Sequence, residues 1–175
     1  WQWVPESYYT WGLEQRRRAL KAHSTRQLCK SLLMENKKVV VTTTTTEDSS
    51  KDPTNPRFVL VVVQYAATLD TKKLTTAIRS LRSNVKERLD VNNFDWRLAS
   101  PEDNDRLTGY THNSVTPFGL RDSSVPIVLA SAIEGFFWMG GGHVHLKLGL
   151  SVTDFCRALS PTVAEITQPR SGDDD

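Results

Sequence analysis

The chain has little cysteine: Cys29 and Cys156 alone, too few for a disulfide framework and without metal-ligand spacing. Reduced, separate thiols are expected. No apolar run approaches the roughly 20 residues that cross a bilayer, and the N-terminus lacks the basic-then-apolar layout of a signal peptide. A cytoplasmic protein without membrane contact is the expectation. The first residue is Trp1 rather than Met, so the chain is expected to start inside a longer product. Also missing are a Walker A loop, a nucleophile elbow, paired-cysteine zinc ligands and a His-Glu-x-x-His helix, which removes the familiar enzyme signatures. There is no strong net charge, at +2, and no internal repeat.

What remains fits one domain: 175 residues, 38% hydrophobic and 24% charged, can bury a core and carry no overall disorder signature. Charge is uneven. Residues 11–30 hold Arg16, Arg17, Arg18, Lys21, Arg26 and Lys30 against Glu14, whereas the tail ends in Asp173, Asp174 and Asp175. Such a basic cluster is the footprint a phosphate backbone seeks, and equally what a solvated helix face looks like. The expected layout is an aromatic and basic helical extension (1–23), a body (24–166) with a mobile loop at 45–56, and an acidic tail (167–175).

Hydrophobic periodicity places the elements. Trp1, Trp3, Tyr8, Tyr9 and Trp11 read as a clamp onto the body, with base stacking as the alternative. A helix is expected from Thr10, as its cap, to His23, and Ser24 can cap a short turn after it. "QLCKSLLMEN" reads as a strand in which Leu28, Lys30, Leu32 and Met34 share a face. The threonine run before "EDSSKDPTNP" can extend a hairpin arm. "RFVLVVVQYAA" is a central strand buried on both sides, and "DTKKLTTAIRSLRSN" an amphipathic helix carrying Leu74, Ala77, Ile78 and Leu81. "FDWRLAS" is a strand, and Ser100 with Pro101 opens a helix. "TGYTHNSVTPFGLRDSS" is a loop, "VPIVLAS" a strand, and "GFFWMGGGHVHLKLGL" two strands joined by glycines. A helix capped by Ser151 and a short strand "TVAEIT" close the chain. Strands and helices interleave without a strict βαβ rhythm, which gives an α+β fold with a mixed sheet or a partly closed, barrel-like sheet and surrounding helices.

Four features could carry chemistry. His143 and His145 alternate on a strand and could present imidazoles to one ion with His112 as a third ligand, or could be a polar strand face. Cys29 beside Lys30 would be an activated thiolate only if both pointed the same way; neighbours on a strand do not, and a buried structural cysteine is the better reading. Glycines 140–142 allow a ligand close to the backbone, or a turn with positive φ. Lys30 is a cation in an apolar row, either entering a cleft or snorkelling to water.

Taken in order, "LCKSLLM", "RLTGYTHNSVTPFG", "VPIVLASAI", "FWMGGGHVHLKLGL" and "VTDFCRALSPTVAEI" resemble the YbaK/ProX family of aminoacyl-tRNA editing domains, found free-standing or inserted in prolyl-tRNA synthetases, and most closely its eukaryotic free-standing branch. The resemblance spans residues 24–166. It implies the YbaK fold, a cleft for the tRNA 3′ end, and hydrolysis of the ester carrying a wrong amino acid, a translation-fidelity role that needs no metal or other cofactor. Lys30 falls on the family's pocket lysine, and Asn113, Ser114, Val115, Thr116 and Pro117 fall on its Gly-x-x-x-Pro loop. Asn113 replaces the leading glycine, and Asn tolerates left-handed backbone angles better than most residues. The resemblance implies catalysis by Lys30 and Asn113 to Thr116, and substrate contacts by Lys30, His112, Pro117, Gly141, Gly142 and His143. The expected tRNA contacts are Arg16, Arg17, Arg18 and Lys21, and prolyl-tRNA synthetase is a candidate partner.

Overall fold

The computed structural model describes residues 1–40 and 52–170. The run Phe58–Gln64 has no polar face and forms β3, buried at every residue. Burial on both faces puts such a strand in the middle of a sheet. β2 (Cys29–Asn36) pairs with it antiparallel on one edge and β6 (Ile127–Ala130) parallel on the other. β5 (Trp96–Leu98) continues beyond β2 and β9 (Thr162–Ala164) beyond β6, giving the order β5-β2-β3-β6-β9. A second, antiparallel sheet orders β1 (Gln2–Trp3), β8 (Leu146–Ser151) and β7 (Phe136–Gly140) as β1-β8-β7. β4 (Ala67–Leu69) pairs with β10 (Thr167–Pro169), a strand absent from the expectation, so regular structure continues past residue 166.

The two larger sheets meet where Leu28 bridges Trp138 in parallel. The fold is thus the expected α+β mixture, curled at one bridge rather than closed into a barrel. Among the described residues, no helix is long and apolar enough to cross a membrane.

Capping chemistry fixes most helix starts. The Asp70 carboxylate accepts from the N–H groups of Lys72 and Lys73 to open α2 (Thr71–Ser80), whose Leu74, Ala77 and Ile78 are buried while Leu81, just past its end, is 38% exposed. Ser100 caps α3 (Pro101–Thr108), which Gly109 ends at φ +80°, and Ser151 caps α4 (Val152–Leu159). The helix expected from Thr10 to His23 is shorter. Glu6–Thr10 is a 3-10 turn, Trp11 and Gly12 are extended, and α1 spans Leu13–Ala19. Thr10 ends a turn instead of capping a helix, its hydroxyl donating to the Ser7 carbonyl. Lys21, at φ +53°, stops α1: its N–H reaches the Arg18 carbonyl and that of Ala22 the Arg17 carbonyl, a Schellman end. Ser24 does cap a short turn, Thr25–Gln27.

The clamp reading holds for part of the opening segment. Val4, Tyr8, Leu20 and Ala22 pack on Leu28, while Trp1 and Trp3 stay exposed at 81% and 64%. Of the loop expected at 45–56, residues 45–51 lie outside the described residues, as do the threonine run and 171–175. Asn55 is tied to Val40, and Arg82 to Asp52 and Thr54.

Phe155 is fully buried, its ring packed on those of Phe118 and Phe137, and so ties α4 to β7 and to the loop after α3. Phe155→Ala is expected to lower unfolding free energy by about 3–5 kcal/mol in urea titration, and a loss under ~1 kcal/mol would contradict this packing account.

Candidate active site

β5 pairs only with Met34–Asn36 of β2, and beyond it the Ala99 N–H reaches the Leu33 carbonyl. Among the described residues, the first half of β2 has no strand on that side. A cleft of about 500 Å³ lies there, and consecutive residues Leu28–Leu33 line it, not the alternate residues of one face. β7 supplies the opposite wall through Trp138, Met139 and Gly140; β8 adds Lys147, and the N-terminal segment adds Tyr8 and Tyr9.

Two lysines enter this cleft, and among the described residues neither has a carboxylate partner. Lys30 is half-buried with its Nζ 5.5 Å from the Tyr65 ring centroid. Desolvation, and then the charge of Arg170, lower its pKa. Lys147 is 4% exposed. Its Nζ donates to the Tyr9 hydroxyl and, at 3.3 Å, to the Val144 carbonyl, and lies 4.4 Å from the Tyr9 and 5.1 Å from the Tyr8 ring centroid. Burial, with Arg16 adding to it, pulls the ammonium down to about 8. Arg16 stands 5.4 Å from the ring centroids of Tyr8, Tyr9 and Tyr65 and donates to the carbonyls of Tyr9 and Trp11.

The loop after α3 is held by its own polar groups. The Tyr110 hydroxyl donates to the Phe118 carbonyl at 2.7 Å, and the Thr111 carbonyl accepts from both the Ser114 N–H and the Ser114 hydroxyl. Asn113 has φ +66°, in the left-handed region that glycine adopts freely and Asn better than most other residues. Its carbonyl accepts from the Tyr9 hydroxyl at 2.6 Å. Gly140 lets the loop touch β7, since a Cβ there would sit 2.5 Å from the Val115 carbonyl oxygen. Among the described residues, the N–H groups of Asn113, Val115 and Thr116 have no acceptor. The buried hydroxyls of Ser31 and Thr116 have no partner either.

Of the residues expected from sequence, Lys30, His112, Asn113 and Val115 line the cleft together. Ser114 and Thr116 are buried in the loop behind it, and Pro117 is not on its wall. Gly141, Gly142 and His143 do not line it: Gly142, at φ +89°, lies against the Tyr110 ring, and His143 meets Trp3 edge-on. The Nδ1 of His143 accepts the His145 N–H, and no group of three His, Cys, Asp or Glu among the described residues could hold a metal ion, so His112, His143 and His145 are not gathered. Cys29 is buried, which pushes its thiol pKa up, as a structural cysteine requires. In the basic cluster Arg16 turns inward and Arg17 binds Glu14 and the Ala22 carbonyl, while Arg18, which also donates to Glu14, Lys21 and Arg26 are exposed. Sequence reasoning missed Lys147 and Tyr65, took Tyr9 only as part of the clamp or a stacking platform, and named Gly140 only within the glycine run 140–142. The alternation of Leu146, Leu148 and Leu150 carries no sign that Lys147, between them, is buried; the aromatic opening segment was the signal that this second face is covered.

A family model for the aminoacyl-tRNA editing domain matches residues 19–158. No curated protein matches the chain with significance. Among solved structures, the fold is similar to a candidate trans-editing enzyme for prolyl tRNA synthetase, at TM-score 0.68 and 19% identity, covering 95% of this chain and 84% of that one. It is also similar to a scaffold from computational epitope backbone grafting (TM-score 0.67, 16% identity, 96% and 85% covered) and to a hypothetical protein (0.62, 16%, 90% and 84%).

Because burial lowers the pKa of Lys147 below its unfolded value, the unfolded state binds the proton more tightly, and the penalty is fully present below about pH 8. It fades as pH rises from there toward about 10.4, the unfolded lysine value. Lys147→Met is therefore expected to raise the melting temperature at pH 7, with a gain that shrinks above pH 8; a gain independent of pH would overturn this assignment of cost.

Proposed function

The chain belongs to the aminoacyl-tRNA editing domain family, and from that membership we propose that it cleaves a small wrong amino acid from tRNA(Pro) in trans. Its class is aminoacyl-tRNA deacylase, with aminoacylated tRNA as substrate. The proline-specific part draws support from the similar fold of the candidate trans-editing enzyme, which also makes prolyl-tRNA synthetase the first partner to test. The proposed compartment is the cytoplasm.

The observation that carries the mechanism is that one cleft is lined by Lys30 and by Asn113 and Val115, whose N–H groups have no acceptor among the described residues. An aminoacyl ester is already activated, so hydrolysis calls for orientation and oxyanion stabilisation more than for a protein nucleophile. Water adds to the ester carbonyl carbon, and the carbonyl π electrons move to oxygen, where the loop N–H groups and Lys30 stabilise the charge. Collapse breaks the bond to the ribose oxygen, which leaves with a proton, and the neighbouring ribose hydroxyl can relay it. Pocket volume then selects the amino acid, since steric exclusion discriminates better than the roughly 1–3 kcal/mol that a methylene supplies by binding. Arg18, Lys21 and Arg26 are exposed cations of the N-terminal cluster, and the first two, on and just after α1, suit contact with the acceptor stem.

The alternative is a tRNA-binding module on the same fold whose catalysis has decayed at Asn113. The φ of +66° at Asn113 favours the active reading, because the side chain has not displaced the backbone from the conformation a glycine would take.

The test is deacylation of mischarged tRNAs, Ala-tRNA(Pro) and Cys-tRNA(Pro) first, with EDTA present. One substrate is expected to be cleaved by the wild type and at least about tenfold more slowly by Lys30→Ala, the loss typical of a removed oxyanion donor being larger still. Binding of tRNA without cleavage of any substrate would favour the decayed module, and a fully active Lys30→Ala would remove Lys30 from the mechanism.

A further inference from the structure

The family match begins at residue 19, yet the hydroxyl that holds the loop of the proposed site belongs to Tyr9. Building on the deacylase reading, we propose that Tyr9 is a positioning residue: its hydroxyl, held by the Lys147 ammonium, props the Asn113 carbonyl and fixes the 113–117 loop in its working geometry.

The donors run in one direction. Lys147 Nζ donates to the Tyr9 oxygen, and Tyr9 donates its own proton to the Asn113 carbonyl at 2.6 Å. A cation donating to a hydroxyl polarises it and strengthens the bond that the hydroxyl donates onward. Tyr9 is fixed at its other end too, where its carbonyl accepts from Arg16 at 2.8 Å.

The prop acts on one peptide group. The Asn113 carbonyl and the Ser114 N–H belong to the same rigid plane, and the Ser114 N–H donates to the Thr111 carbonyl at 3.0 Å. That plane is held from both sides, so it cannot flip. The N–H groups of Asn113 and Val115, in the planes on either side of it, keep their direction as a result. Without the Tyr9 hydroxyl, the plane is held by the Thr111 bond alone, and the left-handed Asn113 can relax toward more populated angles.

A purely structural reading of Lys147 and Tyr9 is disfavoured by cost. Burying an ammonium with no carboxylate weakens a fold, and apolar residues would fill the same space without that penalty. Glu35 provides the contrast: equally buried, it is paired with both Lys37 and Arg57.

The test uses the full chain carrying Tyr9→Phe, which keeps the ring and removes the hydroxyl, and separately Lys147→Met. Amide hydrogen exchange across residues 111–116 is read alongside kcat and KM on whichever mischarged tRNA the wild type cleaves. For Tyr9→Phe, exchange in this segment is expected to be about tenfold faster and kcat about tenfold lower, with KM within about twofold of wild type. Lys147→Met should move both in the same direction by less, and it carries the test should Tyr9→Phe not fold. Wild-type exchange together with wild-type kcat overturns the proposal, and so does a loss confined to KM. If the wild type cleaves nothing, the deacylase reading fails, and exchange alone then decides whether the prop exists.

Discussion

A buried ammonium with no counter-ion among the described residues is the constraint around which this molecule is arranged. Lys147 lies inside the fold with two tyrosine rings, one hydroxyl and one carbonyl for company. Cation–π contacts contribute on the order of 1 kcal/mol each, less than the several kcal/mol of desolvation they offset. The rings must therefore be present and close, which explains why an N-terminal segment that could have hung free is packed onto β8. Val4, Tyr8, Leu20 and Ala22 bury themselves with Leu28 and hold Tyr9 in place over the lysine. The same arrangement gives the cleft two lysines against one acidic residue, Asp105, a suitable wall for a reaction that builds negative charge on oxygen.

The cleft itself follows from a mismatch of strand lengths. β2 has eight residues and β5 three, and β5 covers only the far end of β2. Consecutive residues at the near end therefore stand on the cleft wall, so Lys30 reaches the cleft from an edge rather than from a sheet face. On the facing wall, Gly140 brings β7 against the loop backbone, a contact that any side chain would prevent.

Much of this was legible in the residues. The apolar run of β3, the Ser100-Pro101 and Ser151 caps, and the glycine-joined strands β7 and β8 stand where periodicity puts them, because local chemistry alone decides them. The end of α1 was not legible: Lys21 in a left-handed conformation carries no composition signal, and Arg16 bonds back to Tyr9 and Trp11 only once the segment has folded over. Lys147 was hidden for a related reason. Its strand alternates as though one face met water, and nothing within residues 146–151 says that Tyr8 and Tyr9 cover the other face. Lys30 stood out as a cation in an apolar row and Asn113 through family resemblance, whereas the cations and rings around them depend on pairings between distant parts of the chain.

Those distances also set an order of events. Tyr9 is 104 residues from Asn113 and 138 from Lys147, and β1 pairs with β8. Closing so long a loop adds little free energy over a shorter one, but contacts of high sequence separation form slowly. On the ribosome the aromatics of residues 1–11 emerge well before β8 and wait, without the strand they pack on, until it has been synthesised. The site is therefore unfinished until β8 has been synthesised, and the aromatic segment lacks its packing partner during that interval.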